Sequence, residues 1–350
     1  MATTSLIAFR YQRAMVTVES MLSRLLASSR IDPFLLMILT TVLVAALLPA
    51  DGVALSAFGW ASKIAIGLLF FLYGARLSSS EVLHGVRHWR LQTFILVTTF
   101  LAFPVLGLVF KSFVPALLGE PLYLGLLYLC VLPSTVQSAI ALVSVARGNI
   151  PAAVVAASAS SLLGIFVTPL LVGLLMRAQG GGINGSAVME IFVMLLLPFL
   201  AGQAMRRWIG RWVKEKGKPL KVVDRGSILL VVYVAFSKGM NEGIWSSLSV
   251  GRLVLLALVC LLLLGIVLAS TWLVAQRAGF SRADSVTILF CGSTKSLATG
   301  LPMASVLFAD QQVGLVVLPL MLYHQLQLLI GAAVATRLDK RTVEPVTVPA

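Results

Sequence analysis

Long apolar runs recur along the whole chain, and they constrain the fold more than any other feature of the sequence. A helix that crosses a bilayer needs about 20 mostly apolar residues. Ten such runs lie at 33–49, 57–75, 90–110, 121–145, 151–176, 187–206, 222–240, 251–275, 284–308 and 312–336. Helices pair their backbone polar groups within one segment, as lipid requires. The sequence therefore predicts an all-α polytopic membrane protein with ten transmembrane helices, called spans 1 to 10 below.

The composition excludes a soluble protein with a single membrane anchor. Of the 350 residues, 59% are hydrophobic and 11% are charged, whereas a typical soluble domain has about 25% charged residues. The formal net charge of +14 could indicate nucleic-acid binding in a soluble chain. Because the basic residues lie in short loops between apolar runs, we expect the lipid bilayer, and not nucleic acid, as the partner.

The distribution of Lys and Arg predicts the topology. If the N-terminus is cytoplasmic, 20 of the 27 basic residues fall in cytoplasmic segments, four in external segments and three within spans. Cytoplasmic loops of membrane proteins carry this excess of basic residues. A missed span would invert every later loop. We therefore expect ten spans, both termini in the cytoplasm, and a multi-pass location in the plasma or inner membrane.

A glycine-rich stretch at residues 180–182 separates five spans from five, so the two halves enter the membrane in opposite directions. The predicted organisation is a cytoplasmic N-terminal segment (1–30), a first five-helix repeat (31–176), a linker (177–186), a second five-helix repeat (187–338) and a cytoplasmic tail (339–350). Residues 207–221 are expected to form a strongly charged linker between spans 6 and 7. Transporters built from inverted repeats bind substrate near the midplane, at broken helices in equivalent positions.

Polar residues interrupt the fourth span of each half. Span 4 contains Pro133, Ser134, Thr135, Gln137 and Ser138, and span 9 contains Gly292, Ser293, Thr294, Lys295 and Ser296. Pro133 has no N–H and leaves the carbonyl of Leu129 without its usual partner. Freed carbonyls and hydroxyls would suit a hard cation such as sodium, whereas the N-termini of half-helices would suit an anion. The structural alternative is that each hydroxyl bonds to its own helix.

Lys295 lies near the centre of span 9, where a cation costs roughly 2.5–3.5 kcal/mol on insertion scales. It could neutralise an anionic substrate or take the place of a coupling cation. Alternatively, it could snorkel or pair with a structural carbonyl. No Asp or Glu lies deep in any span, so we expect carbonyls, hydroxyls or the substrate as its partners, and no carboxylate-based proton relay.

Other spans carry further polar residues. His324 in span 10 is either a proton-relay candidate or a helix-packing donor, and Gln325 follows it. Span 5 presents Ser161, Gly164 and Thr168 at helical spacing. This spacing favours a close-packing face over a substrate surface.

Five runs together resemble the bile acid:sodium symporter superfamily. They are residues 69–77 (LFFLYGARL), 132–138 (LPSTVQS), 146–149 (ARGN), 290–297 (FCGSTKSL) and 323–327 (YHQLQ). The resemblance covers roughly residues 30–338 and is closest to the SBF-like branch, bacterial membrane proteins related to vertebrate and yeast members tied to calcium regulation. It implies two inverted five-helix repeats. A panel of spans 1, 2, 6 and 7 would move against a core of spans 3–5 and 8–10, with helices 4 and 9 broken where they cross.

The resemblance also implies how the family's sodium ligands map onto this chain. A Glu of helix 9 that joins both sodium sites falls on Ser293, with Thr294 beside it, and a Gln of helix 3 falls on Thr99. A second ligand of helix 9, a Gln, falls on Leu297. These replacements remove acidic and amide ligands from both helices.

On helix 4, the family's Asn positions fall on Val136 and Ala139, while the Ser between them is kept as Ser138. With most side-chain ligands replaced, we expect Lys295 to stand in for a sodium ion, so that transport is uncoupled or differently coupled. The cofactor candidate that the resemblance leaves is a sodium ion at Ser138, Ser293 and Thr294.

These observations predict a secondary-active transporter of a small organic anion that works by alternating access. Lys295 would attract the anion, and Ser134, Thr135, Ser293 and Thr294 would hydrogen-bond it or an ion. One alternative is a regulatory membrane protein that affects calcium or other ion homeostasis without transport of its own. Another is an intramembrane enzyme with Ser293 or Ser296 activated by Lys295; no oxyanion device accompanies this pair, and we do not expect an enzyme.

Overall fold

The computed structural model describes residues 33–76, 88–177, 192–241, 243, 249–308 and 313–340. The predicted N-terminal segment (1–30) and nearly all of the predicted linker and tail lie outside the described residues. The chain divides at Thr40 into two units. The first unit contributes the beginning of helix α1, in which the Thr40 hydroxyl donates to the Leu36 carbonyl at 2.8 Å. All further contacts concern the second unit.

Regular structure in the described residues is helical throughout. The helices are α1 (Pro33–Leu47), α2 (Gly52–Arg76), α3 (Trp89–Phe110), α4 (Val114–Leu118), α5 (Glu120–Val131), α6 (Gln137–Val145), α7 (Ile150–Arg177), α8 (Leu197–Glu215), α9 (Gly217–Asn241), α10 (Val250–Arg277), α11 (Arg282–Ser293), α12 (Leu297–Leu307) and α13 (Val313–Lys340). One turn of α3, Thr98–Ala102, is π-helical. Another π-helical turn, Phe192–Leu196, leads into α8.

Five of the described helices are long and apolar enough to cross a membrane, namely α2, α3, α7, α10 and α13. They coincide with predicted spans 2, 3, 5, 8 and 10. The protein is thus a polytopic membrane protein. The count of ten spans and the inverted repeat stay predictions.

The predicted breaks in spans 4 and 9 are confirmed. Span 4 is divided into α5 and α6, and span 9 into α11 and α12. In the first break, Leu132 is extended (φ −74°, ψ 153°), because the ring of a following proline disfavours helical backbone. In the second break, Thr294 is also extended, and the Ser296 hydroxyl caps α12 by accepting from the Thr299 N–H at 3.2 Å. Gly292 itself lies inside α11, so the break follows it by two residues.

The prediction of a charged linker at 207–221 is wrong. Helix α8 continues to Glu215, α9 begins at Gly217, and only Lys216 separates them. The high charge does not end the helix, because Lys, Arg and Glu have good helix propensity.

Two sets of helices pack closely around small residues. Gly74 of α2 lies against the backbone of α8, and Gly202 of α8 lies against the backbone of α2. A Cβ at Gly74 would overlap the Phe199 carbonyl, and a Cβ at Gly202 would overlap the Phe71 carbonyl. Similarly, a Cβ at Gly125 of α5 would overlap the Val316 carbonyl of α13. The first contact joins α2 to α8, and the second holds the first break beside α13. Movement of one set against the other stays a prediction.

Candidate functional site

The two helix breaks lie against each other. The backbone N–H of Ser296 donates to the Pro133 carbonyl at 2.9 Å, and the hydroxyl oxygens of Ser134 and Thr294 are 2.9 Å apart. The Thr294 hydroxyl donates to the Phe290 carbonyl of its own helix at 2.9 Å. Since a hydroxyl has one proton, Ser134 is the donor to Thr294. The breaks therefore pair through backbone and side chain.

Lys295 joins the breaks to α3. Its side chain is fully buried, and Nζ donates to the carbonyls of Thr99 at 3.0 Å, Cys130 at 2.9 Å and Leu132 at 2.7 Å. An ammonium group has three N–H donors, and this geometry uses all of them. Nζ also lies 3.9 Å from the centroid of the Phe103 ring, a distance suited to a cation–π interaction. The charge is thus solvated by carbonyls and an aromatic face.

The Thr99 carbonyl is available because of a local defect in α3. In the π-helical turn the Phe103 N–H donates to the Thr98 carbonyl instead of to Thr99, its partner in an α-helix. The next residue, Pro104, has no N–H to offer in a π-helical bond. The Thr99 oxygen therefore has no backbone donor in the turn, and Lys295 supplies one.

Each carbonyl from Leu129 to Ser134 receives a hydrogen bond. Helix α5 ends at Val131, so its last carbonyls lack helical donors. Other donors replace them. The Leu132 N–H donates to the Leu129 carbonyl, and Lys295 donates to the Cys130 and Leu132 carbonyls. Thr168 donates to the Val131 carbonyl, the Ser296 N–H to that of Pro133, and Ser161 to that of Ser134. The carbonyl of Leu129, predicted to lack its usual partner, is in a turn bond of 3.3 Å.

Helix α13 supports the second break through the side-chain amide of Gln327, which pairs with the Lys295 backbone as a neighbouring strand would. Gln327 accepts from the Lys295 N–H at 2.8 Å and donates to the Lys295 carbonyl at 2.9 Å. His324 Nδ1 lies 2.7 Å from Gln327 Nε2, and the Tyr323 hydroxyl donates to the Ser293 carbonyl at 2.8 Å. The extended residues of the break are thereby paired without a neighbouring strand.

The structure brings most of the predicted site residues together. Ser134, Thr135, Ser293, Thr294, Lys295, Ser296, His324 and the backbone of Thr99 are buried in or beside the two breaks. Gln137 is exposed at the first turn of α6, and Ser138 beside it is half-buried. Gln325 is half-buried on α13. The hydroxyl of Thr99 is buried and has no partner among the described residues.

Several residues that the site needs are not among the predicted ones. Gln327 and Phe103 contact Lys295, and Ser160 accepts from the Ser134 N–H at 3.0 Å. The small face of α7 was predicted to be a packing surface, and this is confirmed: Thr168 donates to Val131, and a Cβ at Gly164 would collide with the Pro133 ring. In the sequence, the signal for the role of Gln327 is its position three residues after His324, on the same side of span 10.

Two of the three candidate sodium ligands donate their hydroxyl protons within their own helix. Ser293 donates to the Leu289 carbonyl at 2.6 Å, Thr294 donates to Phe290, and the break carbonyls accept from Lys295 and its neighbours. Among the described residues, no group of three His, Cys, Asp or Glu side chains could hold a metal ion. The Lys295 ammonium takes the place of a cation among the carbonyls of Thr99, Cys130 and Leu132. A sodium ion at Ser138, Ser293 and Thr294 stays a prediction.

Comparison with known proteins finds relatives along nearly the whole chain. The model of the SBF-like CPA transporter family matches residues 32–340. The Pseudomonas aeruginosa protein PA2026 is 51% identical over 311 residues, 89% of this chain and 93% of the relative. "Putative symporter YfeH" of Escherichia coli is 47% identical over 312 residues, 89% and 94% of the two chains.

A more distant relative is the rat protein named sodium/bile acid cotransporter 7. It is 31% identical over 315 residues, which cover 88% of this chain and 93% of the relative. The family match extends over all the described helices. The chain therefore belongs to the SBF-like CPA transporter family, a family of membrane transporters and not of enzymes.

Proposed function

We propose that this protein is a secondary-active transporter of a small organic anion, with the substrate bound near the crossing of the two broken spans. The single observation that carries the proposal is the Lys295 charge, which is fully buried and bonded only to neutral groups. A buried cation without a carboxylate leaves a positive potential in the surrounding site. An anionic solute would be attracted to that potential.

The N-terminus of α6 is the proposed position of the anion. It has no side-chain cap, and its first turn carries the exposed Gln137 and the half-buried Ser138. Free N–H groups and the helix dipole favour an anion at such an end. Because all three Lys295 donors are engaged, Lys295 acts on the anion through its field in this conformation, and Gln137 and Ser138 supply hydrogen bonds.

Alternating access between two inverted repeats, with both termini in the cytoplasm, completes the proposal. The broken helices in equivalent halves support it, because inverted-repeat transporters place their sites at such helices. Lys295 would take the place of a coupling cation, so that anion uptake does not require sodium at this position. The regulatory alternative, an effect on calcium or another ion without transport, predicts that the purified protein alone moves no solute.

The first prediction concerns uptake of organic anions into proteoliposomes. A unit charge about 10 Å away contributes about 1.7 kcal/mol at an effective dielectric constant of about 20, which is roughly tenfold. Lys295→Met should therefore lower uptake at least about tenfold, whereas Lys295→Arg should retain more of it. The matched control is Lys63→Met, which removes an exposed lysine of α2.

Wild-type uptake of a panel of carboxylates and sulfonates is measured first, with empty liposomes as the reference. Transport by wild type with equal uptake by a well-folded Lys295→Met would overturn the role of Lys295. Absence of uptake for every anion would favour the regulatory alternative. Apparent melting temperatures identify variants that fail to fold.

A further inference from the structure

The corner between α8 and α9 concentrates positive charge. Between residues 206 and 225 the sequence has eight Lys and Arg and two acidic residues. The side chains of Arg207, Arg211, Lys216 and Lys221 are exposed. One of the acids, Asp224, pairs with Arg76 at the end of α2, so it does not offset the exposed charges.

Two tryptophans accompany these charges on α8. Trp208 and Trp212 are 63% and 53% exposed, and the Arg207 guanidinium lies 3.8 Å from the centroid of the Trp208 ring. Exposed tryptophans beside basic residues are typical of the membrane–water interface, where the ring sits at the level of the lipid headgroups. This part of α8 has the composition expected of a segment at headgroup depth.

An apolar groove opens beside the basic residues. It has a volume of about 380 Å³ and is lined only by apolar atoms from α2, α8 and α9. Met205, Ile209 and Trp212 line it from α8, and Leu68 and Leu220 line it from the two other helices. The α8 residues recur at i, i+4 and i+7, which is one face of a helix. Lys216, at i+11, follows at the end of that face, and Lys221 follows the groove residue Leu220 in sequence. By the same spacing Arg207 and Arg211 fall on the other side of α8.

We propose that this corner binds an anionic phospholipid. The exposed basic residues contact the phosphate headgroup, and one acyl chain enters the groove. Charge complementarity selects the headgroup, because basic clusters at the end of a membrane helix attract anionic lipids. The apolar lining selects a lipid over a free phosphate, which would find no polar partner in the groove. This site is separate from the helix breaks and independent of the proposed transport.

Retention of lipid by the purified protein tests the headgroup contact. The protein in detergent is incubated with equal amounts of phosphatidylglycerol and phosphatidylcholine, and bound lipid is counted by native mass spectrometry. Wild type should retain phosphatidylglycerol in at least about fivefold preference, and Lys216→Gln/Lys221→Gln should lose about tenfold in retention. The matched control removes two exposed charges elsewhere, as Lys63→Gln/Arg277→Gln.

Equal retention of the two lipids by wild type, or equal losses in the two double variants, would overturn the proposal. Should the α8–α9 variant fail to fold, a salt titration of wild type replaces it. Retention of phosphatidylglycerol should fall as ionic strength rises, because salt screens exposed charges. Retention that is independent of salt would contradict a headgroup contact.

A second pair of variants tests the groove. Met205→Trp places a larger side chain in the groove and should lower phosphatidylglycerol retention several-fold while all basic residues remain. Leu200→Trp is the control, because Leu200 is 51% exposed on the same helix and does not line the groove. Unchanged retention by Met205→Trp would exclude the acyl chain from the groove and overturn that half of the proposal.

Discussion

Lys295 illustrates how a membrane protein can bury a charge without an opposite charge. Three carbonyl oxygens accept its three N–H groups, and the Phe103 ring covers it. Two of these carbonyls lie at the end of α5, and the third lies in a π-helical turn. The oxygens are free for the lysine because the backbone around them is irregular, which is tolerated in a membrane where it is buried in protein.

The second prediction concerns the binding of sodium when the Lys295 ammonium group is removed. Lys295→Ala leaves three carbonyl oxygens around the space of the ammonium group, and backbone carbonyls can replace the hydration shell of a monovalent cation. Sodium should therefore raise the apparent melting temperature of Lys295→Ala by a few degrees relative to choline. At ten times its Kd, a ligand stabilises by about 1.4 kcal/mol.

The control for this effect is Lys295→Met, which removes the charge but fills most of the same space. It should show no sodium response, nor should wild type. A sodium response of equal size in all three proteins, or in none, would contradict the interpretation that Lys295 occupies the place of a cation.

Among the helices, α13 stabilises the break in span 9 through three hydrogen bonds between its side chains and the backbone of the break. Gln327 pairs with both the N–H and the carbonyl of Lys295, and Tyr323 pairs with the preceding carbonyl of Ser293. An interruption in a membrane helix exposes backbone groups that lipid cannot satisfy. Two side chains of α13 therefore stabilise the break by pairing with its backbone.

Replacing Gln327 gives the third prediction. Gln327→Leu leaves the buried Lys295 N–H unpaired, and an unpaired group costs about 1–3 kcal/mol. The apparent melting temperature in detergent should fall by several degrees. Thr336→Val is the comparison, since Thr336 is an exposed residue of the same helix that bonds only to its own backbone. Equal melting temperatures of the two variants would show that the break is paired in another way.

At the scale of the whole molecule, α2 and α8 are far apart in the sequence but pack closely at Gly74 and Gly202. A Cβ at Gly74 or Gly202 would overlap backbone carbonyl groups of the opposite helix. Backbone atoms cannot move aside as the end of a flexible side chain can, so the helices would have to separate. The contact also positions the α8–α9 corner beside α2.

The fourth prediction uses two glycines of the same helix. Gly74→Ala should destabilise the protein by about 1–3 kcal/mol, the usual cost of overpacking, and lower its melting temperature. A Cβ at Gly59 would meet nothing within 4 Å, so Gly59→Ala should be neutral or slightly stabilising through its higher helix propensity. Equal effects of the two substitutions would contradict the close approach of α2 and α8.

Sequence patterns predicted much of the fold because the bilayer imposes them locally. Apolar runs of sufficient length indicated a polytopic protein, and the five long apolar helices agree. Pro133 predicted the break in span 4, since a proline acts on its own turn of helix. Charge, in contrast, misled the prediction at 207–221, because charged residues are compatible with a helix that leaves the membrane core.

The sequence alone determined the membrane class, the positions of the two breaks and the presence of an expensive lysine between apolar residues, since each depends on neighbouring residues. Only the tertiary structure decided what that lysine contacts. Its carbonyl partners are 163 to 196 positions away in the chain, and they are free to accept because of a π-helical turn and a helix end. Backbone carbonyls are identical in every residue, so only folding specifies which of them a buried charge will meet.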